Sequence, residues 1–348
     1  MKTYKMSKER FPEFIDIIKS KSKLFGPVKQ KEKHSFEEID DFSQLDFEYQ
    51  RTQIALKKFL TPPRYITKHF TKDGIEEILP LDEKNIVIGA HPCDIHGVKI
   101  LDRLFLGNIK DPYYSKRREN LIIIGHSCLP DDKCFCHSTG TDMVEDGFDL
   151  FLTSLNGYYL IWVGTDNGLD LAIAAEDLLE EEINEEVIQE YFIWQQVREQ
   201  RFSSNVPYFK YLADIMDLNY DSEVWEQFGE KCLSCGTCSM VCPTCNCFNV
   251  DDKILMSAEE GVRERMLDSC MLPYYSMVAG GHDFRPNRTD RIKLYYTHKL
   301  KEYIGKWGQP SCVGCGRCVE YCPVDINVLT VAEALYKEVG QTKEVLDL

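Results

Sequence analysis

Two cysteine runs in the last third of the chain have the residue type and spacing that hold iron–sulfur clusters. The first is Cys232-x-x-Cys235-x-x-Cys238-x-x-x-Cys242-Pro243, and the second is Cys312-x-x-Cys315-x-x-Cys318-x-x-x-Cys322-Pro323. A cubane [4Fe–4S] cluster needs four thiolates at tetrahedral corners. Two-residue gaps let one loop serve three irons, while the fourth cysteine, followed by Pro, points elsewhere. In proteins with two such clusters that fourth cysteine ligates the other one. The expected ligand sets are Cys232, Cys235, Cys238 with Cys322, and Cys312, Cys315, Cys318 with Cys242. Zinc sites use four ligands, usually in two pairs, and do not account for two identical four-cysteine runs.

Four more cysteines, Cys93, Cys128, Cys134 and Cys136, suggest a third Fe–S cluster. Cys93 follows the apolar run Ile86-Val87-Ile88, and Cys128 follows Leu121-Ile122-Ile123-Ile124. If these are parallel neighbouring strands, their loops open at one sheet edge, where open α/β sheets place ligands. Cys134-Phe135-Cys136 follows closely. The spacing is irregular, and buried thiols or zinc are the alternatives. His91, His96, His126 and His137 crowd the same loops as candidate ligands or hydrogen-bond donors. Cys245, Cys247 and Cys270 read as plain buried thiols, not needed to complete two cubanes.

The elements that must position these residues divide the chain. The first part reads as α/β: a helix over 7–21 with Phe11, Phe14, Ile15 and Ile18 on one side, and the two buried strands just described. Asp94 is expected to cap a helix carrying Ile95, Val98, Leu101 and Phe105. Asn156-Gly157, between runs 148–155 and 158–163, signals a type I′ hairpin. From about 190 helical patterns prevail, over 187–200, 208–217, 256–268, 288–304 and 328–338. The expected fold is an α/β domain, 1–188, with the third Fe–S site, followed by an α-helical ferredoxin domain, 189–348, with two cubane clusters.

The bulk composition limits the function classes. A chain of 348 residues is long enough for two domains, and fifteen cysteines would suggest disulfides only in a small secreted protein. The start is charged and lacks an apolar leader pattern, and no apolar stretch approaches the length of a membrane span. The expectation is a soluble, cytoplasmic protein in a reducing compartment. A net charge of −16 disfavours nucleic acid or anionic membrane as partner. The acidic run at 176–186 reads as a solvated helix face or linker. No dinucleotide fingerprint, P-loop or catalytic triad stands out. Clusters without a substrate-activating group point to an electron carrier. The competing readings are a catalytic Fe–S reductase with an open site near Cys93 and Cys128, and an Fe–S redox sensor, for which no basic patch offers support.

Further landmarks are His91-Pro92-Cys93-Asp94; 111–118; Cys128 with Cys134-Phe135-Cys136; Pro243-Thr244-Cys245-Asn246-Cys247-Phe248; Asp268-Ser269-Cys270-Met271; 280–286; His298-Lys299; and Cys312-Val313-Gly314-Cys315-Gly316-Arg317-Cys318. Over nearly its whole length the chain resembles the iron–sulfur protein shared by two kinds of enzyme complex. These are the cytoplasmic sulfhydrogenases, where it is the β subunit of NAD(P)-linked [NiFe] hydrogenases, and the anaerobic sulfite reductases. The chain departs from the family pattern at Leu267, usually Trp, and Asp283, usually Asn. The resemblance implies a non-catalytic electron-transfer subunit. Its partners would be a flavin-containing, NAD(P)-linked subunit on one side and a catalytic redox subunit on the other: [NiFe] hydrogenase, sulfite reductase or a heterodisulfide-reductase-like assembly.

Overall fold

The computed structural model describes residues 2–206, 208–254 and 260–341. The chain divides into two compact units. One comprises Met1–Thr61, Glu77–Asp132 and Thr141–Ser203; the other comprises Pro62–Glu76, Lys133–Gly140 and Ser204–Leu348. Among the described residues the strands are β1 (Thr3–Ser7), β2 (Lys23–Gln30), β3 (Lys33–Glu38), β4 (Arg64–Thr71), β5 (Gly74–Glu77), β6 (Asn85–Ala90), β7 (Leu121–His126), β8 (Leu150–Ser154), β9 (Tyr158–Val163), β10 (Phe248–Ile254) and β11 (Gly261–Leu267). No described helix is long and apolar enough to cross a membrane.

The first unit is built on a seven-stranded sheet of order β1-β9-β8-β7-β6-β2-β3. Its centre is parallel, β2 with β6, β6 with β7 and β7 with β8. Parallel strands covered on both faces read as continuous apolar runs, and the burial shows why. Ile86, Ile88, Ile122 and Ile124 pack on one face with Phe11, Phe14, Ile15 and Ile18 of the helix Phe11–Lys19. Val87 and Ile123 pack on the other with Ile95, Val98, Leu101 and Phe105 of the helix Pro92–Phe105. That second helix starts earlier than expected. Its N-cap is His91, and the buried Asp94 lies inside the first turn rather than capping it. The β8–β9 hairpin forms, but Asn156 is not among the residues with positive φ and only Gly157 takes one, 81°. A type I′ turn needs positive φ at both central residues, so this turn is not of that type. Glu190 accepts the Asn156 N–H at 2.8 Å.

The acidic stretch resolves into a short 3₁₀ turn, Glu176–Leu178, and the start of the helix Glu185–Gln200. Asn184 caps that helix by accepting from Val187 N, and Glu185 and Glu186 sit in its first turn, where the helix dipole favours negative charge.

The second unit combines helices with a four-stranded sheet, β10-β11-β4-β5. The helical expectation over 256–268 is corrected here. Residues 261–267 form β11, while 255–259 lie outside the described residues. The segment is rich in helix formers, but its charges pair across strands rather than along one helix face. Arg263 holds Asp252 with two bonds of 2.7 Å, Lys253 reaches Glu264, and Arg265 lies over the Phe248 ring. Opposite charges on facing strands stabilise a sheet as i,i+4 pairs do a helix, so tertiary pairing overrides propensity. The expected helix at 288–304 is interrupted: Arg288–Thr297 is α-helical, His298–Glu302 a π-helical turn, and Tyr303–Trp307 α-helical again. The core of this unit gathers Trp225, Tyr295, Tyr296, Val331 and Leu335 around both cysteine runs.

Candidate metal centre

The two cysteine runs have the same backbone course. In each gap between the first and second cysteines one residue is left-handed, Ser234 (φ 51°) and Gly314 (φ 58°). In each second gap a glycine is left-handed, Gly236 (φ 73°) and Gly316 (φ 74°). Each glycine then caps a five-residue helix, Thr237–Val241 and Arg317–Tyr321. Both helices stop at the fourth cysteine, which is extended as the residue before proline must be. At Gly314 the close approach is severe: an added Cβ would lie 2.5 Å from the Cys136 Cα.

The two short helices lie against one another, and each fourth cysteine turns to the opposite run. One cavity is lined by Cys232, Cys235 and Cys238 together with Cys322, and closed by Tyr295 and Tyr296. The other is lined by Cys312, Cys315 and Cys318 together with Cys242, and closed by Phe135 and Lys299. Backbone N–H groups point at the sulfurs: Ser234 N lies 3.3 Å from Cys232 Sγ, and Ile326 N 3.2 Å from Cys322 Sγ. Burial raises the Cys238, Cys312 and Cys318 thiols well above the usual range, so they are neutral until a metal displaces their protons. Among the described residues no three Cys, His, Asp or Glu side chains converge as a single metal ion would require. Thiols set back around a cavity, with amide donors aimed at sulfur and apolar walls, suit a cluster whose corners are held apart.

Lys299 stands in the wall of the second cavity, a place that spacing alone does not single out. It is 4% exposed, and its Nζ reaches Cys242 Sγ at 3.2 Å and Thr244 Oγ1 at 2.9 Å. Burial alone would lower its pKa, but the Cys242 and Cys245 sulfurs around it hold it well above the lysine range. It is a fixed buried cation. Asp268-Ser269-Cys270-Met271 also joins the site. Ser269 is fully buried, its hydroxyl 2.6 Å from that of Ser239 and accepting from Met271 N, and Met271 lines the first cavity.

The other expected ligands fall in both units. Cys93 sits in the first turn of the helix Pro92–Phe105, and Cys128 two residues beyond β7. Their strands β6 and β7 are adjacent and parallel, so both loops open at one edge of the first unit's sheet. Cys134 and Cys136 belong to the second unit, where Phe135 N donates to Gly314 O at 2.8 Å and lays that segment along the second run. Three histidines of these loops are engaged with other groups. His91 stacks on Tyr49 with ring centroids 4.2 Å apart, His96 bonds the Met143 carbonyl, and His126 is buried beside Phe47. Burial pushes His126 down to about 4 and keeps it neutral.

A cavity of about 230 Å³ in the first unit adjoins Cys93 and Cys128 along the chain, lined by Pro92, Ser127, Met143, Trp162, Trp194 and Arg198. Arg198, 3% exposed, donates to the Cys128 carbonyl at 2.8 Å and to Asp142, which pins the Cys128 loop. No short-range motif marks this arginine in the sequence, because its partners lie 56 and 70 residues away.

A family model described as a 4Fe-4S dicluster domain matches residues 231–326, the segment that spans both runs. Across the chain there is similarity to "Sulfhydrogenase 2 subunit beta" of Pyrococcus furiosus, with 40% identity over 333 residues, 96% of this chain and 98% of that protein.

Proposed function

This chain belongs to the family of sulfhydrogenase β subunits, and from that premise we propose that it relays electrons between two partners, a catalytic redox subunit and a flavin-containing, NAD(P)-linked subunit. The catalytic partner would be a [NiFe] hydrogenase, a sulfite reductase or a heterodisulfide-reductase-like assembly, and the compartment the cytoplasm. The observation that carries the reading is the exchange of fourth cysteines between two matching cavities. Cys232, Cys235, Cys238 and Cys322 would hold one [4Fe–4S] cluster, and Cys312, Cys315, Cys318 and Cys242 the other. Such a group supplies reversible one-electron storage. The chain's own residues do the rest. Tyr295 and Tyr296 exclude water, the amides of Ser234 and Ile326 stabilise charge on sulfur, and Lys299 adds a positive charge beside Cys242.

The strand-end argument extends the proposal to Cys93, Cys128, Cys134 and Cys136 as ligands of a third Fe–S cluster. What supports it is the parallel pairing of β6 and β7, which aligns the Cys93 and Cys128 loops. Anaerobic iron and sulfide analysis with EPR of the dithionite-reduced chain tests the whole reading. About eight iron atoms per chain is the minimum for two cubanes, and a fully loaded chain with fewer counts against it.

A second reading, a reductase with its own substrate site, is favoured by the aromatic cavity next to Cys93 and Cys128. Turnover of sulfite, a disulfide or hydrogen by the isolated chain with an artificial electron donor would establish it; no turnover leaves the carrier.

A further inference from the structure

A third cysteine-lined cavity lies in the second unit, bounded by Cys245, Cys247 and Cys270 with Thr244, His298 and Lys299. Its volume, about 20 Å³, equals that of the cavity around the second run. The two cavities share the side chains of Tyr295 and Lys299 as a wall. Sequence spacing gives no hint of this set, because Cys270 comes 23 positions after Cys247. The β10–β11 hairpin closes that distance. Phe248 pairs with Leu267, and Asp268 N donates to Cys247 O at 2.9 Å, so the residues that follow β11 return beside Cys247. The Cys270 thiol there lies within hydrogen-bonding reach of Cys247. Cys270 is buried, and Cys245 and Cys247 are half-buried against the core of the unit.

The mouth of the cavity carries the fourth candidate. His298 is exposed and opens the π-helical turn His298–Glu302 that interrupts an otherwise α-helical segment. A π turn puts one extra residue into the helix and turns side chains out of register, and such turns collect at functional sites. Imidazole can replace a thiolate on a cluster iron.

We propose that Cys245, Cys247 and Cys270 hold a further iron–sulfur cluster of the cubane type, with His298 as its fourth ligand. The site stands one side-chain layer from the cavity of Cys312, Cys315, Cys318 and Cys242, and its histidine edge meets solvent. It therefore serves as a surface terminal, taking one electron from the neighbouring site and giving one to a docked protein partner. The inference shares the iron–sulfur reading of the chain but none of its ligand assignments.

The test uses the full chain, purified anaerobically, and compares iron and acid-labile sulfide with EPR of the reduced protein. Cys247→Ala/Cys270→Ala should lose about four iron atoms per chain, with an unchanged far-UV circular dichroism spectrum. The same variant carrying Cys235→Ala should lose iron from both sites additively. Full iron retention in the double variant overturns the inference. Retention in Cys235→Ala alone would instead overturn the assignment of the first run. Should the double variant collapse and lose all its iron, His298→Ala decides. The near-isotropic signal of an oxidised three-iron cluster supports the site, and an unaltered spectrum refutes it.

Discussion

Lys299 offers the sharpest quantitative check on the site. It is a buried cation whose Nζ lies 3.2 Å from Cys242 Sγ, and its replacement by methionine preserves bulk while removing the charge. With an effective dielectric constant of about 20, a full charge on that sulfur interacts with the ammonium by about 5 kcal/mol. An electron added to a cluster is shared among four thiolates, so about a quarter of that, about 1.3 kcal/mol, acts through Cys242. For a one-electron couple this corresponds to about 55 mV. The sign follows from the charge: the reduced state is the more negative, the cation stabilises it, and Lys299→Met lowers the midpoint potential. An EPR-monitored redox titration of the anaerobic full chain measures the shift. Lys301→Met, which removes a charge paired with Asp217 nearer the surface, is the control and should move the potential by no more than about 10 mV. A change below about 20 mV for Lys299→Met, or a rise, would falsify the electrostatic role assigned to this residue.

Exchange of the fourth cysteines predicts that Cys322→Ala damages the same EPR signal as Cys235→Ala, while Cys242→Ala damages the one altered by Cys315→Ala; the opposite pairing would mean that each run keeps its own ligand. Each of these single changes should cost a cubane or convert it to a three-iron form, removing about one to four irons on analysis. Gly314→Ala should destabilise the chain by about 2 kcal/mol or more in a thermal or denaturant melt, since it combines left-handed strain with a clash against the Cys136 backbone. Gly140→Ala, at φ 65° with nothing within 4 Å of the added Cβ, isolates the strain and should cost about 1 kcal/mol; equal losses at the two positions would remove the packing argument. Arg198→Met should shift the EPR signal or iron content tied to Cys128 while leaving the cavity of the first run untouched, because the arginine bonds the Cys128 carbonyl and Asp142 in its own unit; a variant spectrum identical to that of the parent would divorce this residue from the metal chemistry.

Much of the fold was legible where burial imposes a pattern on the chain. Ile86–Ile88 and Leu121–Ile124 read as strands because both faces of a parallel sheet are covered, and Phe11, Phe14, Ile15 and Ile18 read as one helix face for the same reason. Sequence patterns misled where partners distant along the chain decide the outcome. Residues 261–267 have helical propensity but lie between β10 and β4, and the charges of Arg263, Glu264 and Arg265 find cross-strand partners. Asp94 is a suitable cap by residue type, yet Pro92 opens the helix two residues earlier, with His91 as its N-cap. His298–Glu302 could not be seen at all, since a π turn leaves no periodicity of its own.

By itself the sequence determined the local chemistry of the two runs. Two-residue gaps, left-handed residues before the second and third cysteines, and a proline after the fourth are short-range constraints that act within one loop. Tertiary structure alone decided which thiols meet where spacing is silent: the register of β10 on β11 returns Cys270 to Cys247. The reason is physical. A loop's geometry is set by the torsions of its own few residues, whereas a contact between distant residues depends on the packing and strand register of everything that folds between them.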